Sequence, residues 1–484
     1  MTTIKLDPGA ALLLDALHGA GHAAYAVGGC VRDSLLGLDP HDWDLCTSAR
    51  PEQVMALFGE EKCIPTGLQH GTVTVKQGGR LYETTTFRTE GAYSDGRHPD
   101  AVCFVPDVRE DLARRDFTIN AMAYSAEEGL IDPFGGRDDL AAHLVRAVGE
   151  PERRFEEDAL RILRLYRFAA RFGFAIDPAT GAAARALGPH LDCVSAERIQ
   201  EELLKLLAAP RPGSYLEPAV LAVILPELET EKQPERFAEL CRTIDRIEST
   251  AENVPVRLAA LLCPLGEAGA RKALRKLKCS NALTDEVTAL EREAGGGAGS
   301  FLLGHEFELR HPADALCLER HSHPAGRCPN SNSLFPPQAA VVAVAGHSIA
   351  RSIACGNRVP PQRTVLGETP GTPNTTLTVQ AKRLLGRYEL PTIQRLTALC
   401  SARHPEQTGA FAALRAEAEQ LTAENACCRV SQLAVNGRDL MAAGVRPGPG
   451  LRQVLNALLE AVITGQTPNE KDALLAAAAQ FSAS

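Results

Sequence analysis

The chain has 484 residues and a formal net charge of −9, with 51 Lys and Arg against 60 Asp and Glu. At roughly 150 residues per domain, this length predicts about three domains. The negative balance argues against a generally basic nucleic-acid binder, although it leaves room for a local basic surface.

The 14 cysteines form no C-x-x-C pair, so we expect reduced thiols rather than a zinc site. The N-terminal stretch lacks a basic segment and a cleavage-like end, and no run of 18 apolar residues occurs in the chain. We therefore expect no signal peptide, no transmembrane helix and no membrane partner, and a location in the cytoplasm.

Residues 1–140 mix β-like and helical patterns and predict an α+β module. A helix is expected at 31–37, directly after a strand that ends in two glycines. The polar segment 89–99 is typical of a mobile loop. The predicted strands, in chain order, are 23–29, 41–47, a hairpin at 71–88 around Gln77-Gly78-Gly79, and 101–105.

From about residue 140 the apolar spacing becomes helical. One amphipathic helix is predicted at 155–174 and another at 195–209, which Ser195 would cap. Helical patterns return after 380. The resulting division is a head at 1–140, a neck at 141–210, a helical body at 211–300, an atypical, poorly ordered Pro/Gly/His-containing insertion at 301–376, and a C-terminal helical portion at 377–484.

Asp42 and Asp44 are the first candidates for chemistry. On a strand, residues i and i+2 face the same way, so the two carboxylates would present hard oxygens to one point, which suits Mg²⁺. A D-x-D pair alone is common on solvated strands. Its context is more specific, because Gly28 and Gly29 stand at a strand-to-helix turn that allows close approach to a phosphate, and Arg32 adds a guanidinium.

Five segments of the sequence match, in the same order, the motifs of one enzyme superfamily. The segment VGGCVRDSLLG with HDWDLCTSARPEQV resembles the signature of the class II tRNA nucleotidyltransferase and bacterial poly(A) polymerase superfamily. That resemblance implies a polymerase-β-type α+β head with a small mixed sheet, followed by an all-α remainder. The further matching segments are RRDFTINAMAY (114–124), DPFGGRDDL (132–140), RFEEDALRILRLYRFAARFGF (154–174) and SAERIQEELLKLL (195–207).

The resemblance also implies roles. Asp42 and Asp44 are expected to be catalytic and to bind Mg²⁺. Apart from the resemblance, Glu83 is a candidate for a third carboxylate because it lies on a predicted strand of the same head, and the alternative is a surface strand residue. For Arg115 and Asp116 the alternative is a local salt bridge at a helix start. The residues expected near the nucleotide are Gly29, Arg32, Arg115, Asp116, Asn120, Asp158, Arg161 and Arg164.

The fourth segment predicts a nucleotide selector made of Glu157, Asp158 and Arg161 on one helix. A carboxylate accepts from the exocyclic amine that cytosine and adenine carry and uracil lacks, and a guanidinium donates to the ring. The alternative is a plain ion pair between Glu157 and Arg161. Candidates for contacts with RNA are Arg167, Arg171, Arg198 and Lys205.

These features predict a CCA tRNA nucleotidyltransferase that takes tRNA, ATP and CTP as partners. The segment TGLQHGTVTV (66–75) is more similar to the tRNA enzymes than to the poly(A) polymerases. Poly(A) polymerase, A-adding or CC-adding activity, and a non-catalytic RNA-binding protein remain as alternatives. The sequence leaves the oligomeric state open.

Overall fold

The computed structural model describes residues 3–91, 102–295 and 376–481. Most of the predicted insertion at 301–376 and of the predicted loop at 89–99 therefore lies outside the described residues. Within the described ranges, no helix combines the length and the apolar character needed to cross a membrane.

The head is built on a seven-stranded sheet of order β3-β4-β5-β2-β1-β8-β9. Strands β2 and β5 run parallel, and the other neighbours run antiparallel, so the predicted small mixed sheet is confirmed. Two further pairs, β6-β7 and β10-β11, stand apart from it. The strands are β1 (Ala24–Val27), β2 (Leu45–Thr47), β3 (Cys63–Gly67), β4 (Thr72–Gln77), β5 (Arg80–Thr86), β6 (Arg88–Glu90), β7 (Val102–Phe104), β8 (Ala123–Ser125), β9 (Gly129–Ile131), β10 (Leu144–Val145) and β11 (Ala175–Ile176).

The predicted hairpin is present as β4 and β5. Gly78 and Gly79 form its turn with φ of 59° and 80°. Two consecutive residues with positive φ match the right-handed twist of the flanking strands, and glycine adopts that conformation without steric cost. The Gly-Gly pair in the sequence was therefore a reliable signal.

Helices dominate the described chain after the head, as predicted, apart from the short parallel pair β10-β11. The helices are α1 (Pro8–Gly19), α2 (Gly29–Leu35), α3 (Pro51–Phe58), α4 (Val108–Ala113), α5 (Gly136–Ala141), α6 (Pro151–Glu157), α7 (Leu160–Phe172), α8 (Pro178–Ala186), α9 (Ala196–Leu207), α10 (Pro218–Ile224), α11 (Pro234–Arg246), α12 (Val254–Leu262), α13 (Gly266–Lys276), α14 (Asn281–Gly295), α15 (Thr376–Arg387), α16 (Leu390–Arg403), α17 (Thr408–Ala423), α18 (Gly437–Ala442), α19 (Pro449–Ile463) and α20 (Lys471–Phe481).

One hydrophobic core joins the head to α7 and continues into the helical body. At the junction, Phe117 of the head and Phe168 of α7 meet edge to face, with ring centroids 5.8 Å apart. This contact fixes α7 against the head, so the side chains on its polar face are held at a constant distance from the sheet.

Arg257, on α12, fastens the end of α9 to the body. Its side chain is fully buried, and it donates to the carbonyls of Leu207 at 2.7 Å, Ala209 at 2.6 Å and Ile247 at 2.7 Å. The last carbonyls of a helix have no partner within the helix, and a cation there also complements the helix dipole. Arg257 thus anchors α9, which carries residues of the functional site.

The prediction of a single helix at 155–174 was wrong in one respect, because the helix is interrupted between α6 and α7. Asp158 has an extended backbone, with φ of −148° and ψ of 103°. Its carboxylate accepts the backbone N–H of Leu160 at 3.1 Å. Asp competes well for such orphan N–H groups at helix starts, which is why the helix ends here.

Two smaller predictions also need correction. The strand expected at 41–47 begins only at Leu45, although the Asp44 carbonyl accepts from the Val27 N–H at 3.0 Å and from the Cys30 thiol at 3.8 Å. Ser195 does precede α9, but its side chain makes no capping hydrogen bond.

Candidate active site

A cleft of about 490 Å³ opens between the head and the neck helices. All eight residues predicted to bind the nucleotide line this cleft. Of the residues predicted for other roles, Asp42, Glu83, Glu157 and Lys205 do not line it. The lining residues are Gly28, Gly29, Arg32, Asp44, Arg114, Arg115, Asp116, Asn120, Asp158, Leu160, Arg161, Arg164, Arg167, Phe168, Arg171 and Arg198.

The glycine turn between β1 and α2 forms one wall. Gly28 has φ of 78°, and a Cβ atom added there would lie 2.7 Å from Nη1 of Arg115. The positive φ therefore favours glycine at this position, and a larger residue would also displace the Arg115 guanidinium. Gly29 follows as the first residue of α2.

Arg32 is held rigidly beside this turn, with only 4% of its surface exposed. Its Nε donates to Asp33 at 2.8 Å, and its Nη1 donates to the side-chain oxygen of Asn120. The guanidinium also lies 4.8 Å from the ring centroid of Phe172 and 5.3 Å from that of Phe168. The arginine is preorganised before any ligand arrives.

Asp116 is the central acceptor of the cleft. Its Oδ2 accepts from Nε and Nη2 of Arg164 at 2.9 Å and 2.6 Å, and its Oδ1 accepts from Asn120 at 3.0 Å. Burial would raise the pKa of Asp116, but the charge of Arg164 and these hydrogen bonds outweigh burial and hold the pKa far below the ordinary value. Asp116 is therefore ionised and fixed, and Arg115 does not pair with it.

Asp42 and Asp44 flank the buried Trp43, and both keep solvent-exposed surface, although protein atoms also pack densely around the Asp44 carboxylate. This alternation of exposed and buried side chains agrees with the prediction, although the strand itself begins only at Leu45. The mouth of the cleft is crowded enough that burial, followed by the charge of Glu83, raises the pKa of Asp44; Asp42 adds to the shift and Arg115 opposes it.

Glu83 lies beside Asp44 because β2 and β5 run parallel with Leu45 opposite Thr84. Among the described residues, neither these two carboxylates nor Asp42 forms an ion pair, and no group of three or more Asp, Glu, His or Cys side chains is arranged to hold a metal ion. Neighbouring hard-oxygen carboxylates that form no ion pair among the described residues fit a divalent cation that substrate oxygens would help to coordinate.

The predicted selector residues have other partners in the structure. Arg198 donates to both oxygens of Asp158, at 2.8 Å and 3.3 Å. Arg161 donates to Glu157 at 2.7 Å and to the Arg114 carbonyl at 3.2 Å. The Glu157–Arg161 ion pair, the alternative to base reading, is therefore present, while Asp158 and Arg161 stand on either side of a helix break.

The residues considered for RNA contacts differ in exposure. Arg167 is mostly buried and donates to Glu202 at 2.6 Å. The side chain of Arg171 is 47% exposed, 3.4 Å from Asp33, and that of Lys205 is 50% exposed, 2.6 Å from Glu201.

Family models match three parts of the chain. Residues 24–146 match the poly A polymerase head domain, residues 173–231 match the probable RNA and SrmB-binding site of polymerase A, and residues 388–478 match the putative tRNA nucleotidyltransferase domain 2. The first covers the sheet and the glycine turn.

Curated relatives extend the likeness. The CCA-adding enzyme of Leuconostoc citreum is 44% identical over 257 residues, which are 53% of this chain and 63% of that enzyme, so this alignment spans less than two thirds of the relative. The CCA-adding enzyme of Limosilactobacillus fermentum is 33% identical over 474 residues, which are 97% of this chain and 96% of that enzyme. The chain belongs to the CCA-adding enzyme family.

A solved structure agrees with this membership. The Bacillus stearothermophilus CCA-adding enzyme in complex with CTP superposes with a TM-score of 0.68 and 29% sequence identity, and the match covers 98% of each chain. The predicted superfamily and fold class are confirmed, and the chain is a nucleotidyltransferase of a metal-dependent family.

Within this CCA-adding family member, the sequence did not single out four residues at the cleft. Arg114, Leu160 and Phe168 line it, and Asp111 lies behind it and accepts hydrogen bonds from Arg114 and Arg115. The Arg-Arg doublet was the available signal for Arg114. Phe168 reads as an ordinary apolar position of an amphipathic helix, so no pattern separates it from the core.

Proposed function

We propose that this chain completes the 3′ end of tRNA by adding C, C and A from CTP and ATP without a nucleic-acid template, releasing pyrophosphate. The observation that carries the proposal is the meeting, in one cleft, of Asp44 with the guanidinium and carboxylate groups of Arg161 and Asp158. One site thus contains groups for the chemistry and groups suited to a base edge. The near full-length likeness to the Limosilactobacillus fermentum CCA-adding enzyme supports tRNA as the substrate.

The triphosphate is bound by the turn and the arginines beside it. Gly28 and Gly29 let phosphate oxygens approach the backbone, and Arg32 and Arg115 supply positive charge. Because Arg32 is held by Asp33, Asn120 and two aromatic rings, little reorganisation accompanies binding.

Asp42 and Asp44 bind the metal, for which we propose Mg²⁺, and Glu83 adds negative charge beside them. Divalent cations held there would lower the pKa of the RNA 3′-hydroxyl and would neutralise charge on the reacting phosphate and the leaving pyrophosphate. The protein's own contribution is to orient these carboxylates towards the triphosphate that Arg115 holds. Positioning and electrostatics then supply most of the rate.

Base selection requires an exchange of partners. Asp158 accepts the exocyclic amine of cytosine or adenine after Arg198 yields one carboxylate oxygen, and Arg161 donates to the ring after Glu157 releases it. Uracil lacks that amine, so it leaves Asp158 unsatisfied and is rejected. Arg164, fixed on Asp116, completes the nucleotide site.

The RNA lies along the neck and the helical portions, with the head at 1–140 performing the transfer. We propose the neck at 141–210, the body at 211–300 and the portion at 377–484 as the tRNA-binding surface, in a cytoplasmic enzyme. The half-exposed Arg171 and Lys205 are suited to phosphate contacts, whereas Arg167 and Arg198 primarily hold carboxylates of the site.

Incubation with Mg²⁺ and tRNA transcripts that end before CCA, after C or after CC tests the proposal. Supplied singly and together, CTP and ATP are expected to give C-then-A addition that stops at a complete CCA end. Long A tails on unrelated RNA would instead identify a poly(A) polymerase, and addition limited to CC or to A would identify a partial activity. Binding of tRNA without any transfer would identify a non-catalytic protein.

A further inference from the structure

Asp111, in α4, is a carboxylate with no exposed surface at all. Charged side chains are seldom buried completely unless they are paired, since an unpaired charge in the interior is costly. Asp111 lies behind the arginines of the cleft, and the formation of a six-residue helix does not by itself account for a buried carboxylate at this position.

The two oxygens of this carboxylate serve different groups. Oδ1 accepts from Nε and Nη2 of Arg114 at 3.1 Å and 2.8 Å, and from the backbone N–H of Arg88 at 3.3 Å. Oδ2 accepts from Nη2 of Arg115 at 3.4 Å. Burial would raise the pKa of Asp111, but the charges of Arg114 and Arg115 outweigh burial and lower it, so the group is ionised.

Arg115 depends on this contact for its orientation. Its Nε is buried and has no hydrogen-bond partner in the described structure. Its Nη1 lies against Gly28 at the phosphate turn, and its charge acts on Asp44. The Nη2–Asp111 bond therefore fixes the side of the guanidinium that faces away from the turn.

We propose that Asp111 is a positioning residue for the nucleotide triphosphate, acting through Arg115, whose Nη1 it directs towards the turn at Gly28. The inference rests on the proposed role of Arg115 in triphosphate binding. Asp111 touches no substrate itself. It determines whether the guanidinium is already in place when the nucleotide binds, which removes an ordering cost from binding.

A purely structural role for Asp111 predicts a different result. In that case its loss lowers the stability of the head and affects all ligands alike. A positioning role predicts a loss confined to ligands that carry the triphosphate, and a loss of equal size for CTP and ATP because both share that group.

The experiment compares wild-type protein with Asp111→Asn, which preserves size and removes the charge. Equilibrium binding of CTP, ATP and CMP is measured at a temperature where each variant remains folded by circular dichroism. We expect CTP and ATP affinities to fall about tenfold, as for the loss of one charge-assisted hydrogen bond, with CMP affinity within about twofold of wild type.

Asp7→Asn serves as the matched control. Asp7 is also a head carboxylate that accepts from a helix start and from an arginine, Arg80 at 2.6 Å, but it does not line the cleft. Its substitution is expected to leave the ratio of CTP to CMP affinity unchanged. Equal loss of CTP and CMP affinity in Asp111→Asn would overturn the inference.

Asp111→Glu keeps the charge and displaces it by one methylene. An intermediate loss of CTP affinity, about threefold, with CMP unaffected is expected. If Asp111→Asn does not fold, Asp111→Glu tests the positioning role instead, because an unchanged CTP affinity in Asp111→Glu would contradict that role. A larger loss in Asp111→Glu than in Asp111→Asn would also contradict it, since packing rather than charge would then matter.

Arg115→Gln separates this inference from the function on which it rests. If Arg115→Gln binds CTP as wild type does, the assigned role of Arg115 fails. If Arg115→Gln weakens CTP binding and Asp111→Asn does not, only the positioning inference fails. In the Arg115→Gln background, Asp111→Asn is expected to cause no further loss of CTP affinity.

Discussion

The two sides of the cleft hold their charges in opposite ways. On the carboxylate side, Asp44 lines the cleft and Asp42 and Glu83 lie next to it, and none of the three forms an ion pair among the described residues. On the arginine side, guanidinium groups are matched with carboxylates before any ligand binds. These pairs are Arg164–Asp116, Arg161–Glu157, Arg198–Asp158 and Arg167–Glu202.

The difference shows that ligand binding must add positive charge on the carboxylate side and must replace existing hydrogen bonds on the arginine side. The carboxylate side is complete only when cations neutralise it. The arginine side is complete on its own, so a base can bind only by taking over existing hydrogen bonds, and selectivity follows from which bases can do so.

The largest expected effect belongs to the carboxylate side. Asp44→Asn should reduce transfer about 10³-fold or more, because metal-ion stabilisation contributes several kcal/mol at the transition state. Without divalent cations its melting temperature should equal or exceed that of wild type, since the raised pKa of Asp44 means that its charge opposes folding at neutral pH.

Single-turnover addition to tRNA and thermal unfolding in chelator measure both effects. Asp39→Asn, the same change at an exposed position nearby, is the control and should behave as wild type. A markedly destabilised Asp44→Asn variant would contradict the contrast between the two sides, because the Asp44 carboxylate would then stabilise the fold as the ion pairs of the arginine side do.

The next largest effect is a loss of stability, opposite to that expected for Asp44→Asn, and it concerns the arginine side. Arg164→Gln leaves Asp116 buried without its cation and should cost about 3–5 kcal/mol of unfolding free energy. Arg171→Gln, which breaks a half-exposed pair with Asp33, should cost at most about 1 kcal/mol. Urea unfolding at neutral pH distinguishes the two.

The pH dependence of stability tests whether the Arg164–Asp116 ion pair causes this difference. The lowered pKa of Asp116 means that the stability from its pair is present above the ordinary carboxyl pKa and is lost as pH falls towards the lowered one. The difference in stability between wild type and Arg164→Gln should therefore shrink in acid. A difference that stays constant down to strong acid would contradict the assignment of the charge to Asp116.

A smaller effect is expected on selectivity. Asp158→Asn replaces an acceptor by a group that also donates, so it should accept uracil better and narrow the preference for C over U by about 1–3 kcal/mol. Incorporation of competing CTP and UTP measures this. Asp177→Asn, a helix-capping carboxylate of the neck, should leave the preference unchanged.

The smallest effect is the stabilisation of the free protein by metal. Saturating Mg²⁺ should raise the melting temperature of wild type by a few degrees, as about 1 kcal/mol of binding energy at a site absent from the unfolded chain predicts. The double variant Asp42→Asn with Asp44→Asn should show no such shift. An equal shift in both proteins would place the cation elsewhere.

The head could be predicted well from local signals. The hairpin followed from Gly78 and Gly79, whose positive φ values only a few residue types tolerate, and β1 followed from a short apolar run that ends at Gly28 and Gly29. Such features depend on neighbours in sequence, and pattern reasoning captures them.

The break at Asp158 and the pairing of charges could not be predicted in the same way. Helical periodicity continues through 155–174, and only the competition of the Asp158 carboxylate for the Leu160 N–H interrupts it. The partners of Asp158 and Arg257 come from other elements of the fold. Contacts of that kind depend on tertiary packing, for which a single sequence carries no periodic signal.

One measurement tests most directly whether chemistry and nucleotide choice are separate on the two sides of the cleft. Asp44→Asn is assayed in parallel for equilibrium binding of CTP, ATP and UTP and for transfer to tRNA. The separation predicts a protein that still prefers CTP and ATP over UTP but transfers neither. Loss of that preference, or persistent transfer, would contradict it.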